Sequence, residues 1–155
     1  MLLYQIADIF KKNGLNYGLV GGYALALHGI VRATVDIDIV LTLRLADFQL
    51  VEKCLNELGL KSRLPIRAED VIKMRKEFIE NRNLIAWSFV DYANPIRQLD
   101  VIIIRDLKRL ETTEISVAGR KIPVATLQEL LKMKIAAGRP QDLVDVESIK
   151  KKLNE

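Results

Sequence analysis

Residues 34–43 read TVDIDIVLTL, and this run restricts the fold more than any other stretch of the chain. Apolar and acidic side chains alternate in it. In an extended strand, successive side chains point to opposite faces, so Val35, Ile37 and Ile39 share one face and Asp36 and Asp38 the other. The pattern predicts a strand over 34–43 with its apolar side buried. It also holds two carboxylates on one face, about 6–7 Å apart at Cα. Like charges that close raise each other's pKa unless a cation answers them. A divalent metal is the simplest answer, since Mg²⁺ favours carboxylates together with substrate phosphates. Two aspartates facing solvent at a sheet edge are the alternative.

A third carboxylate stands in QLDVIII, residues 98–104, the most strand-like run in the chain. Asp100 has apolar neighbours on its C-terminal side and Leu99 before it, and a lone buried charge there is costly unless it is partnered. It makes sense if this strand lies beside the first and its carboxylate joins Asp36 and Asp38. Three carboxylates can hold two metal ions, one activating a hydroxyl and one clamping a triphosphate. Asp91, before Tyr92 and Asn94-Pro95, competes for the role but reads as a turn residue.

Gly21-Gly22 follows a short strand candidate, Tyr17–Val20, and precedes the helical YALALHG. Glycines there allow close backbone approach to an anion near a helix start. The GxxxxGK[ST] run of P-loop enzymes is absent, and GLVGGYA lacks dinucleotide-fingerprint spacing.

The remaining pattern alternates helices and strands. Helices are expected over 2–12, 46–58, 69–77, 126–137 and from Pro140 to about 152, and strands over 83–90 and 98–104. A hairpin is expected over 115–124, about an Ala-Gly-Arg turn. Thr126 with Glu129 fits a capping box, and Pro140 a helix start. A mixed sheet flanked by helices, an α+β fold, follows. At 155 residues a single domain is expected over 1–155, with the helices at 126–137 and 140–152 packed on it. One cysteine, Cys54, and one histidine, His28, exclude a disulfide framework, a multi-cysteine zinc site and any histidine cluster. Net charge is +4. Residues 1–60 carry five basic and six acidic side chains and residues 61–155 carry 19 and 14, which favours an anionic partner weakly. The apolar runs fall short of a membrane span and the start does not read as a signal peptide, so a cytoplasmic setting is expected.

The run LVGGYALALHGIVRATVDIDIVL resembles the signature of the nucleotidyltransferase superfamily, the polymerase beta-like fold. That signature is a Gly-Gly or Gly-Ser turn, then Asp-x-Asp on a strand, then an aspartate on a later strand. Gly21, Gly22, Asp36, Asp38 and Asp100 match it, with Tyr23 or Gly22 where a serine is usual. The stretch from His28 to Asp38, together with LLKMKIAAGRPQDLVDVESIKK, resembles small bacterial abortive-infection and toxin–antitoxin nucleotidyltransferases.

The resemblance implies transfer of an NMP from an NTP to a hydroxyl of RNA, protein or a small molecule, with Mg²⁺ or Mn²⁺ on Asp36, Asp38 and Asp100. It implies nucleotide contacts from Gly21, Gly22, Tyr23, Arg32 and a lysine of the 126–137 helix. Lys132 and Lys134 diverge by about 200°, so one of them faces the site. Arg32 suits a phosphate or a salt bridge equally. Arg139 and Asp142 would support, Asp142 by holding the lysine or Arg139. A cognate antitoxin or a second copy of the chain are the implied protein partners. A non-catalytic nucleotide- or partner-binding member of the same fold is the competing reading. His28 reads as structural, and Trp87 and Phe89 as core.

Overall fold

The computed structural model describes residues 1–33 and 36–155. Thr34 and Val35, the start of the expected 34–43 strand, lie outside the described residues. The regular part of that strand is β2, Ile37–Val40.

The chain opens with α1, Leu2–Asn13, which buries Leu3, Ile6, Ala7 and Phe10 and ends on Gly14 in the left-handed conformation. β1, Gly18–Val20, leads directly into α2, Gly21–Leu27, so the glycine pair forms the first turn of the helix itself. After β2 comes α3, Leu45–Glu57, whose buried stripe includes Phe48, Val51, Cys54 and Leu55.

The single helix expected over 69–77 is two, α4 at Ala68–Lys73 and α5 at Arg75–Arg82, preceded by a two-residue strand β3 at Lys61–Ser62. β4, Ala86–Val90, starts later than its apolar run because Asn83 sits at φ 51° as the cap of α5. β5 is Gln98–Ile102. The hairpin is longer than its apolar core: β6, Thr112–Val117, and β7, Arg120–Ala125, are joined at Ala118-Gly119, both with positive φ. Thr126 caps α6, Leu127–Ala137, accepting a hydrogen bond from the Glu129 N–H, and Pro140 is the first residue of α7, Pro140–Leu153.

Among the described residues the strands form one seven-stranded mixed sheet, ordered β3-β4-β5-β2-β1-β7-β6. β2 runs parallel to β5 and β1 parallel to β7; the other pairs are antiparallel. One face of the sheet carries Leu19, Ile37, Ile39, Leu99, Val101, Trp87 and Phe89, all buried. Helix α3 covers that face, with Phe48 stacked on Trp87 at 6.1 Å between ring centroids. The Trp87 indole N–H donates to Ser62 Oγ at 2.9 Å, which satisfies the buried donor and ties β3 to the sheet. Alternation puts the residues between these on the opposite face, where α6 meets both α7 and α2. Among the described residues no helix is long and apolar enough to cross a membrane.

Candidate active site

Register places the two carboxylates from distant parts of the chain side by side. Across the centre of the sheet Val20 pairs with Asp38, Asp38 with Asp100 and Asp100 with Ser88. Partners in register point to the same face, so Asp38 and Asp100 emerge together on the side away from the apolar core. Asp36 precedes β2 by one residue, half-buried, and feels the charge of Asp100.

The electrostatic consequence is uneven. Burial, then repulsion from Asp100 and Asp36, pushes the Asp38 carboxyl up to about 7. Burial and Asp100 also raise Asp36, against the opposing charge of Arg63.

Gly21 closes the site from the other side. Its φ is +70°, and a Cβ built on it would stand 2.2 Å from Asp38 Oδ2. Only a residue without a side chain lets the β1–α2 backbone approach the carboxylate this closely. Gly22 is buried behind it, and Tyr23 is half-buried against the core.

Helix α6 supplies a cation, Lys134, and α7 the carboxylates that hold it. Asp142 and Asp145 are both buried, and with Val146 and Ile149 they make its inward stripe. Lys134, on α6, lies 3.3 Å from Asp142 and 2.9 Å from Asp145. The second contact is an ion pair rather than an aligned hydrogen bond, because Asp145 Oδ2 has no hydrogen-bond partner despite the short distance. Asp145 also accepts a hydrogen bond from Arg32. Asp142 accepts from the Arg139 side chain at 2.7 Å and from its backbone N–H at 3.1 Å. The Arg139 guanidinium and the Lys134 ammonium hold the Asp142 carboxyl down at about 2. The charge of Lys134 opposes the upward shift of Asp38, so the ammonium acts electrostatically on that carboxylate while paired with Asp142 and Asp145.

The expected residues therefore divide. Asp38, Asp100 and Gly21 come together, and Asp36 and Lys134 act on the pair electrostatically. Lys132 points to solvent, 4.0 Å from Glu129. Arg32 is engaged by a carboxylate of this chain, and Arg139 and Asp142 form a capping box. Asp91 is a turn residue: it accepts from the Ala93 N–H and from Arg97. His28 bonds the Ala125 carbonyl through Nε2 at 2.8 Å. Trp87 and Phe89 are buried in the core.

Sequence reasoning missed Asp145, although two carboxylates three apart on a stripe continued by Val146 and Ile149 signal a buried charge pair. It also missed the link between Arg63 and the third carboxylate. Arg63 donates to Gln98 Oε1 at 2.8 Å, and Gln98 Nε2 donates to Asp100 Oδ1 at 3.2 Å.

The donor set fits a hard divalent cation. Two carboxylates side by side on one face are hard oxygen donors, and phosphate oxygens and water complete such a shell for Mg²⁺. Among the described residues no three His, Cys, Asp or Glu side chains are grouped to hold an ion by themselves.

The mixed sheet with its flanking helices is a nucleotidyltransferase-like fold. Residues 2–154 match the family model described as nucleotidyl transferase AbiEii toxin, type IV toxin–antitoxin system, and the chain belongs to that family. Solved structures share its fold at low identity. The antibiotic-resistance factor ANT(2'')-Ia aligns over 99% of this chain and 81% of its own at 13% identity, with a TM-score of 0.65. The lincosamide antibiotic adenylyltransferase LnuA, solved with lincomycin bound, aligns over 96% and 94% at 18% identity and 0.64. A candidate nucleotidyltransferase from Thermotoga maritima aligns over 99% and 91% at 17% identity and 0.63. No curated protein matches the sequence.

Proposed function

We propose that this protein transfers an NMP from an NTP to a hydroxyl acceptor in a divalent-metal-dependent reaction that releases pyrophosphate. The observation that carries this reading is the register of Asp38 against Asp100, with the Gly21 backbone pressed onto the same carboxylate. Family membership supports the reaction class.

Asp38 and Asp100 would hold the cation, with Asp36 beside them, and the cation would neutralise the triphosphate. Repulsion within the carboxylate group makes that binding favourable, since a cation relieves a strain the fold already carries. The Gly21–Gly22 backbone, free of side chains on the approach to Asp38, admits the β- and γ-phosphates. Lys134 would answer the negative charge that grows on the departing pyrophosphate. Asp100 accepts the proton of the acceptor hydroxyl. The new bond joins the acceptor oxygen to the α-phosphorus, and the bond from that phosphorus to the β-phosphate oxygen breaks. Asp142 and Asp145 hold Lys134 from behind. The acceptor is RNA, a protein or a small molecule, and the family's description makes an antitoxin the expected partner.

The test is a transfer screen. Each α-labelled NTP is incubated with the protein, Mg²⁺ or Mn²⁺, and cellular RNA or protein. Label should move to one acceptor class, and Asp36→Ala/Asp38→Ala should abolish it. No transfer with any NTP and acceptor would overturn the proposal.

A further inference from the structure

The link from Arg63 through Gln98 to Asp100 has no part in the core or in the phosphate side of the site. Gln98 and Asp100 stand two apart on β5 and so share a face. Arg63 follows β3, and its backbone N–H donates to the carbonyl of Ser88, the register partner of Asp100. The arginine is thus stitched to the sheet beside the third carboxylate.

An amide offers an acceptor at one end and a donor at the other. Here both ends are engaged. The guanidinium takes Oε1, so Nε2 must face Asp100. The reversed amide would set its oxygen against a carboxylate and its NH₂ against a guanidinium, and both contacts would repel. Arg63 therefore fixes which end of Gln98 meets Asp100, and Gln98 fixes one oxygen of Asp100.

We infer that Arg63 and Gln98 are positioning residues, a relay that orients the Asp100 carboxylate for the cation; this rests on the proposed function above. Oδ1 of Asp100 takes the amide hydrogen, and the carboxylate so turned would offer its other oxygen to a cation shared with Asp38. Hydrogen-bonded partners behind a metal-binding carboxylate typically change metal affinity or activity by about 10–100-fold when removed.

The two side chains are accessible enough to change without opening the core, Arg63 exposed and Gln98 half-exposed. Mn²⁺ binding is measured by electron paramagnetic resonance with a non-hydrolysable NTP analogue present, for wild type, Gln98→Met, Arg63→Met, the double variant and Asp100→Asn. Gln98→Met should weaken Mn²⁺ about 10-fold. Arg63→Met should weaken it in the same direction. The double variant should be no weaker than Gln98→Met alone, because both changes remove one relay. In the transfer assay kcat should fall while KM for the NTP holds within about threefold. Wild-type Mn²⁺ affinity in Gln98→Met, or additive losses in the double variant, overturns the relay and leaves the proposed function standing. A wild-type protein that binds neither Mn²⁺ nor nucleotide overturns both.

Discussion

The backbone of Gly21 lies so close to Asp38 that a single added carbon would meet the Oδ2 of that carboxylate at 2.2 Å. The first atoms to give way would belong to the Asp38 side chain, whose carboxylate can rotate. Gly21→Ala therefore acts mainly on the site. Its φ of +70° adds a conformational cost of about 1–2 kcal/mol. A Tm drop of several degrees with loss of nucleotide-dependent Mn²⁺ binding is expected, read by differential scanning fluorimetry and Mn²⁺ titration. Unchanged binding would show that the close approach is not needed.

Asp38 should make the metal-free protein less stable as pH rises. Its pKa, about 7 in the fold, lies above the ordinary carboxylate value near 3.8. Between about pH 4 and pH 7 the folded state holds more protons than the unfolded one, so stability falls with pH over that window. Asp38→Asn removes the effect. Without metal it should melt higher than wild type at pH 8, by at least about 3 °C, the shift that about 1 kcal/mol produces at this size. It should also have no transfer activity. Thermal melts from pH 4 to 8 in chelator test the first point.

Asp142 predicts the opposite sign at the acid end. Its pKa is held at about 2, below the ordinary value of 3.8, by Arg139 first and then by Lys134. The stability it contributes is present above pH 4 and is lost as pH falls towards 2. Asp142→Asn should flatten that limb of the stability curve, measured by urea unfolding between pH 2.5 and 5.

Asp145 is the shared anion of Arg32 and Lys134. Breaking one side of a buried ion pair typically costs roughly 3–5 kcal/mol. Asp145→Ala should lower stability by that order, and Arg32→Met should recover part of it in the double variant by removing one orphaned cation. Additive losses in that cycle would mean the two residues are not coupled.

How far the site could be read from the sequence follows from what each residue's signal depends on. Asp36 and Asp38 show in the alternation of one strand, and Asp100 shows because a carboxylate breaks an apolar run. Those are local patterns, and the carboxylate cluster follows from them once two strands are set side by side. β3 has two residues and no periodicity to detect. The tie from Arg63 to Gln98 depends on the order β3-β4-β5 across the sheet, which no local pattern encodes. The split of one helix into α4 and α5 turns on Met74, whose φ of −108° is a tertiary choice. Asp145 was missed because a charge in a helix reads as solvent-facing until the neighbouring helix brings its cation.

The clamp on Arg32 and Lys134 comes from α7, and Asp145 stands more than a hundred residues after both Arg32 and the central strand β2. A chain still emerging from the ribosome can pair its central strands before that helix exists. Lys134 would then gain its two carboxylate partners only after α7 has been made, so the site is completed late in synthesis.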